Sequence, residues 1–274
     1  MILIQDTDFD IRKIAQSGQC FRLNPHPDGG YTLVAYGRVL RLREASGGCA
    51  LDCSQADFDT LWRGYFDMER DYAEICAAAD PGDAFLQRAL LYGRGIRILR
   101  QDPWETLVSF IISQRKNIPA IKACVETLCA RYGEPLECGG QVCHAFPTAE
   151  RLAGLEERCF LDCSLGYRAK YVRAAAQLAA SDALDLHTIG GLPDDALLEA
   201  LLLVPGVGEK VANCVMLFGY HRLSRFPRDV WINRIIEREY GGVFPLARYP
   251  DTAGVLQQYI FYYARSAEYA AGEP

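Results

Sequence analysis

The sequence predicts an α+β fold: an N-terminal antiparallel β-sheet region followed by a mostly α-helical region. Three observations predict it. Residues up to about Asp52 are rich in β-branched and aromatic types broken by turn residues, a pattern of short paired strands. From Ala56 onward the apolar spacing takes the helical period. The helical segments are punctuated by Pro, Gly and capping Asp, so they are many and short. The expected division is a sheet domain with short helices over 1–100 and a helical domain over 101–274.

The elements follow in order. Asp8–Gln16 is a short helix inside the strand region, and Tyr31–Leu42 is the richest β segment, preceded by the Pro, Asp and Gly of a turn over Asn24–Gly30. Ala45–Gly48 suggests a further turn, and Cys49–Cys53 a strand. Helices are expected over Asp57–Phe66, Asp71–Ala79 and Asp83–Tyr92. Asp102-Pro103 opens a strong helix, because proline is tolerated in a first turn where its missing N–H has no intrahelical role. Ile118–Tyr132 is the next helix, and Gly133–Phe146 reads as a loop. Thr148–Leu155, Tyr167–Ala180, Asp194–Val204, Glu209–Gly219, Val230–Glu239 and Thr252–Tyr269 complete the helical set.

Half of the 274 residues are hydrophobic and 23% are charged, the balance of an ordinary globular protein. No apolar run approaches the ~18 residues of a membrane span, and the start MILIQDTDFDIRK lacks a signal-peptide pattern. A cytoplasmic protein is expected. The eleven cysteines are read as reduced thiols, since their number is odd and no secretion signal precedes them. None of the pairs Cys49/Cys53, Cys124/Cys129, Cys138/Cys143 and Cys159/Cys163 has the two-residue gap of a zinc knuckle, so no metal is assigned. The net charge of −6 argues against a phosphate-bearing partner. Basic residues nevertheless cluster at Arg94/Arg97/Arg100, Arg115/Lys116, Arg168/Lys170/Arg173 and Arg222/Arg225/Arg228, which allows a basic face on an acidic body.

Two short helices meet at Pro205-Gly206-Val207-Gly208. The glycines allow a backbone conformation that side chains would forbid and bring the main chain close to whatever lies outside, and the outward N–H groups at the start of the second helix carry the positive end of its dipole. Such a turn suits a phosphate. Lys210 stands at the head of that helix, and Asp229 opens the next one. An amine and a carboxylate brought together by a fold can serve as a nucleophile and its electrostatic partner.

With Ser17-Gly-Gln-Cys-Phe-Arg, Gly95-Ile-Arg-Ile-Leu-Arg-Gln-Asp-Pro, Ser109-Phe-Ile-Ile-Ser and Leu165-Gly-Tyr-Arg-Ala-Lys-Tyr-Val, this hairpin resembles the helix-hairpin-helix DNA glycosylases. Within them the chain is similar to the 8-oxoguanine DNA glycosylases with AP-lyase activity, and the match covers nearly its whole length. The resemblance implies a bifunctional enzyme of base excision repair. It would flip 8-oxoguanine out of double-stranded DNA, excise it through a lysine Schiff base and cleave the strand by β-elimination. Lys210 is then the nucleophile, and Asp229 stabilises positive charge on the sugar. Gly18 accepts from N7–H of the oxidised base through its carbonyl, Cys214 and Phe261 sandwich the base, and Gln257 bonds its Watson–Crick edge. Tyr167 is the wedge, Arg168 contacts the estranged cytosine, Arg115 and Asn117 lie on the DNA, and Gly206, Val207 and Gly208 grip a phosphate.

The resemblance also implies a monomer that needs no cofactor, with a monovalent or divalent cation allowed at the hairpin carbonyls. No cysteine follows Cys214, so the Fe–S loop of the endonuclease III branch is missing. Arg115 and Ala120 depart from the pattern of the eukaryotic members, which leaves the opposite-base preference open, and Trp231 stands where those members carry a phosphate-binding histidine, which suggests a bacterial-type variant. Two other functions compete: a monofunctional alkylpurine glycosylase, against which Lys210 counts, and a non-catalytic DNA-binding module, which leaves Asp229, Gln257 and Phe261 unexplained.

Overall fold

The computed structural model describes residues 1–46, 48–138 and 141–271. In chain order, β1 (Ile2–Ile4), α1 (Ile11–Gln16), β2 (Leu23–Pro25), β3 (Tyr31–Ala35), β4 (Arg38–Ala45) and β5 (Gly48–Asp52) form the sheet-bearing start. There follow α2 (Ala84–Gly93), α3 (Pro103–Ser113), α4 (Ile118–Tyr132) and the hairpin β6 (Pro135–Cys138) and β7 (Gln141–His144). The remaining longer helices are α5 (Ala169–Ala180), α6 (Asp194–Leu202), α7 (Glu209–Phe218), α8 (Val230–Tyr240) and α9 (Ala253–Ala264).

The main sheet has the order β1-β5-β4-β3-β2. Leu33 pairs with Leu23 on one side and Leu40 on the other, and all three are fully buried, so the register is set by one apolar ladder. A turn at Tyr36-Gly37, both with positive φ, divides β3 from β4, matching the twist of a two-residue hairpin.

The chain forms two compact units. One comprises Met1–Cys20, Arg43–Arg100 and His221–Pro274. Within it α9 packs on α2, and the Tyr259 hydroxyl donates to the Ile96 carbonyl at 2.9 Å. Arg97 is 1% exposed; its guanidinium donates to the carbonyls of Asp8, Phe66, Asp67 and Arg70 and lies 4.4 Å from the Tyr72 ring centroid. Asp67 gathers Arg70, Arg100, His221 and the Tyr72 hydroxyl. Burial works against the Asp67 charge, but His221, Arg100 and Arg70 outweigh it and hold the carboxyl well below the usual range.

The other unit comprises Phe21–Leu42 and Gln101–Tyr220. Here α7 packs on α3, and Phe110 stacks on Phe218 at 5.5 Å while meeting Phe21 edge-on at 5.4 Å. Buried Arg22 donates to Glu126 and to the His144 carbonyl. Glu105 lies in the same interior; burial pushes its carboxyl up to about 8, against the opposing pull of Arg22.

Several expectations are corrected. The segment read as a loop over Gly133–Phe146 contains the paired strands β6 and β7, with Pro135 opposite His144; Gly139 and Gly140 lie outside the described residues, as does Gly47 in the turn expected before β5. The helix expected over Thr252–Tyr269 stops at Ala264, and a separate one covers Ala267–Ala271. Asp57–Phe66 carries a π turn over Phe58–Trp62 that buries Phe58 and Trp62. Short helices at Glu157–Leu161 and Leu186–Ile189 were not anticipated, being too brief for a periodic signal.

Candidate active site

Each unit holds its own set of the residues singled out from sequence. In the second unit, the hairpin turn leads into α7, whose first residues are Glu209 and Lys210. Gly206 has φ +81°, and a Cβ there would stand 2.4 Å from the Tyr171 ring, so both conformation and packing exclude a side chain. Gly208 differs from expectation: its φ of −106° and ψ of 179° are open to any residue, and a Cβ would meet nothing within 4 Å. As the N-cap it supplies no side-chain acceptor, which leaves the first N–H groups of α7 without a capping side chain. Val207 between the glycines is buried.

The Lys210 Nζ lies 5.0 Å from the centroid of Phe110, the ring already fixed by Phe218 and Phe21. Lys210 is half-buried, and among the described residues no carboxylate pairs with it. Cys214 sits one turn further along α7 and is buried.

The DNA-facing residues expected in this unit form one connected set. Tyr167 is half exposed and meets Tyr171 edge-on at 6.3 Å, and Tyr171 in turn packs on Gly206. Gln114 Nε2 donates to the Gly206 carbonyl at 3.0 Å, while the Gln114 carbonyl accepts from Arg168 Nε at 2.7 Å and from its Nη2. Arg168 is buried, donates also to the Leu165 carbonyl and lies 4.4 Å from the Tyr167 ring centroid. Its guanidinium thus supports the turn at Gln114 and the Tyr167 ring. Arg115, next in sequence, is exposed at φ +52°. Asn117 caps α4, its Oδ1 accepting from the Ala120 N–H at 2.9 Å. Burial of Arg168 has no signature in a sequence, where arginine reads as surface.

In the first unit, Asp229 is the N-cap of α8, accepting from the Ile232 N–H at 2.8 Å. Gln257 on α9 is 5% exposed and donates through Nε2 to the Pro227 carbonyl at 3.1 Å, two residues before Asp229. Among the described residues nothing donates to its Oε1. A buried acceptor left without a donor costs about 1–3 kcal/mol, so it marks a place prepared for something else. Phe261 follows one turn later, half-buried, with the Arg265 guanidinium 5.0 Å from its ring centroid. Although Arg265 as a residue is exposed, partial desolvation of its guanidinium lowers its pKa, and the Asp229 charge pulls it the other way.

Gly18 has φ +80° and is clamped on both sides. Gln258 Nε2 donates to the Ser17 carbonyl at 2.5 Å, and Gln19 Nε2 donates to Ser17 Oγ at 3.0 Å and to the Arg97 carbonyl at 2.9 Å. The Leu99 N–H donates back to Gln19 Oε1 at 2.8 Å. Both glutamines are buried. The sequence reading missed them as supports; the adjacency of Gln19 to Gly18 and of Gln258 to Gln257 was the available signal.

Among the described residues, no group of three or more His, Cys, Asp or Glu side chains is placed to hold a metal ion, and no helix is long and apolar enough to cross a membrane. Residues 108–242 match the HhH-GPD superfamily of base excision DNA repair proteins, and residues 1–107 match the N-terminal domain of 8-oxoguanine DNA glycosylase. The chain belongs to the 8-oxoguanine DNA glycosylase family of that superfamily. It is 37% identical to MBOgg1, solved in complex with a low-affinity DNA ligand, with a TM-score of 0.91 over 97% of this chain and 99% of that one. The Clostridium acetobutylicum 8-oxoguanine glycosylase/lyase, solved with double-stranded DNA containing cytosine opposite 8-oxoguanine, is 34% identical, with a TM-score of 0.89 over 97% of this chain and 98% of that one. The N-glycosylase/DNA lyase of Saccharomyces cerevisiae is 37% identical over 164 residues, 56% of this chain; the match spans 44% of the yeast protein's length.

Proposed function

We infer that this chain is a bifunctional 8-oxoguanine DNA glycosylase and AP lyase acting on double-stranded DNA in base excision repair, with Lys210 as nucleophile and Asp229 as its electrostatic partner. The Lys210 amine attacks C1′ of the flipped nucleotide, the N-glycosidic bond breaks and the base leaves with the bonding pair. The sugar ring opens to a Schiff base on Nζ. Loss of a C2′ proton then expels the 3′ phosphate by β-elimination. The Asp229 carboxylate stabilises positive charge developing on the sugar. Phe110 beneath Nζ supports this role for Lys210, because it holds the amine without neutralising it by a carboxylate.

The observation that carries the base-reading half is the Gln257 carboxamide, buried with an unpartnered Oε1 and one turn from the Phe261 ring. Together they offer an acceptor for a base edge and a surface for its face. Among the described residues no donor reaches the Gly18 carbonyl, which supports its reading as the acceptor for N7–H. Cys214 takes the other face of the base. Tyr167 enters the stack, Arg168, Arg115 and Asn117 line the duplex, and Gly206, Val207 and Gly208 meet a phosphate at the head of α7. A cation bound by the hairpin carbonyls belongs to the same reading, as does action as a monomer in the cytosol or on the nucleoid. The division at about residue 100 is supported by the two family matches meeting at residues 107 and 108.

The test is Gln257→Ala. Excision of 8-oxoguanine is expected to fall on the order of 10²-fold while binding to a duplex with an abasic site changes little, since that substrate has no base to read. Equal losses on both substrates would remove Gln257 from the reading role.

A further inference from the structure

Gln257, Phe261 and Arg265 stand at i, i+4 and i+8, forming one slowly winding row along α9 and its C-cap. Exposure rises along the row: Gln257 is buried, Phe261 half-buried and Arg265 exposed. The row therefore runs from a closed end to an open one, over about 12 Å at 1.5 Å per residue. Arg265 lies against the Phe261 ring, which limits the guanidinium's freedom, and it is within electrostatic reach of Asp229. Among the described residues, none of its guanidinium N–H groups donates to a protein acceptor.

We propose that Arg265 is a third substrate-contacting residue of this row, whose guanidinium takes a DNA phosphate flanking the flipped nucleotide. The inference rests on the reading of Gln257 and Phe261 as base contacts. If the buried end of the row receives the base edge and the middle its face, the exposed end one turn on meets the sugar-phosphate strand that enters the site. A guanidinium has the planar, multiply donating shape that suits phosphate oxygens. The ring beneath it holds it in place before DNA arrives, so little side-chain freedom remains to be lost on binding. Asp229 close by balances the cation in the free protein. It also places Arg265 beside the group assigned to the sugar.

Arg265→Met and Arg265→Lys test this, with binding measured across a salt series on two duplexes. One carries a tetrahydrofuran abasic analogue, which has a flipped-out sugar and resists cleavage; the other is undamaged. A single phosphate contact contributes about 0.9 to the slope of log K against log salt concentration. Arg265→Met is expected to reduce the slope by about that amount on the analogue duplex and to leave it unchanged on the undamaged one. Arg265→Lys should restore most of it. A slope unchanged on both duplexes, or reduced equally on both, overturns the proposal; equal reduction would make Arg265 a general surface contact. Phe261→Ala, assayed for 8-oxoguanine excision in parallel, reports separately on the underlying reading. If Phe261→Ala excises normally, that reading fails whatever the salt slope shows.

Discussion

The two units hold their candidate residues by different means. In the second unit the hairpin, Lys210, Tyr167 and the Gln114 turn are fixed mainly by aromatic rings and one buried arginine. The contacts are a positive-φ glycine against a ring, a lysine on a ring, and an arginine on a carbonyl. In the first unit, Gly18 and Gln257 are held by hydrogen bonds of buried carboxamides, Gln258 to the Ser17 carbonyl, Gln19 to Ser17 and Arg97, and Gln257 to the Pro227 carbonyl. The hairpin and Lys210 depend mostly on packing against rings, whereas Gly18 and Gln257 depend on hydrogen bonds between buried carboxamides and the backbone.

The largest expected effect separates chemistry from scaffold at Asp229. Asp229→Asn keeps a good N-cap and should change the unfolding free energy by only a few tenths of a kcal/mol. Single-turnover excision should nevertheless fall on the order of 10²–10³-fold. Asp229→Ala should lose the same activity and about 1 kcal/mol of stability besides. If Asn and Ala variants lose activity only in step with stability, the residue is a cap and nothing more.

Next comes the scaffold of the recognition unit. Asp67→Asn leaves Arg97's neighbours in place but removes the anion shared by Arg70, Arg100 and His221. Because two of the three partners are partly exposed, a loss of about 3 kcal/mol is expected, at the low end for a broken buried pair. Denaturant unfolding measures it. In the comparison above, base recognition should weaken with it while hairpin-dependent binding to undamaged duplex persists; simultaneous loss of both would break the contrast.

A pH effect belongs to the second unit. Glu105 keeps its proton up to about 8 when folded, against the ordinary 4.5, so the folded state binds more protons in that window. Stability from this group is present below about pH 4.5 and is lost as pH rises toward 8. Glu105→Gln should remove that slope, so its melting temperature gains on the parent between pH 5 and pH 9; a constant difference would contradict the assignment.

The smallest effect divides the two glycines. Gly206→Ala meets the Tyr171 ring at a strained φ and should cost about 1–3 kcal/mol. Gly208→Ala has room and an ordinary φ, so stability should hold within about 0.5 kcal/mol, while affinity for duplex DNA falls if a phosphate approaches there.

What could be read from sequence follows the range over which each signal acts. The boundaries of α4 and α7, the cap Asp229 and the turn at Pro205 were legible because caps, prolines and helical spacing act over a few residues. Gln257 and Phe261 share a face by simple periodicity. The burial of Arg168, the strand pairing of β6 with β7 and the clamps on Gly18 were not legible. Each depends on partners distant in sequence, and a buried arginine or glutamine looks in a sequence like a surface one. At Gly208 composition misled: glycine there reads as a conformational need, yet the backbone would accept any residue.

The most direct measurement of the central claim is borohydride trapping of the protein on a duplex with 8-oxoguanine opposite each normal base, with Lys210→Gln and Asp229→Asn alongside. The account predicts a covalent protein–DNA adduct with the parent protein and none with Lys210→Gln. Release of free base without any adduct, or an adduct that persists in Lys210→Gln, would contradict it.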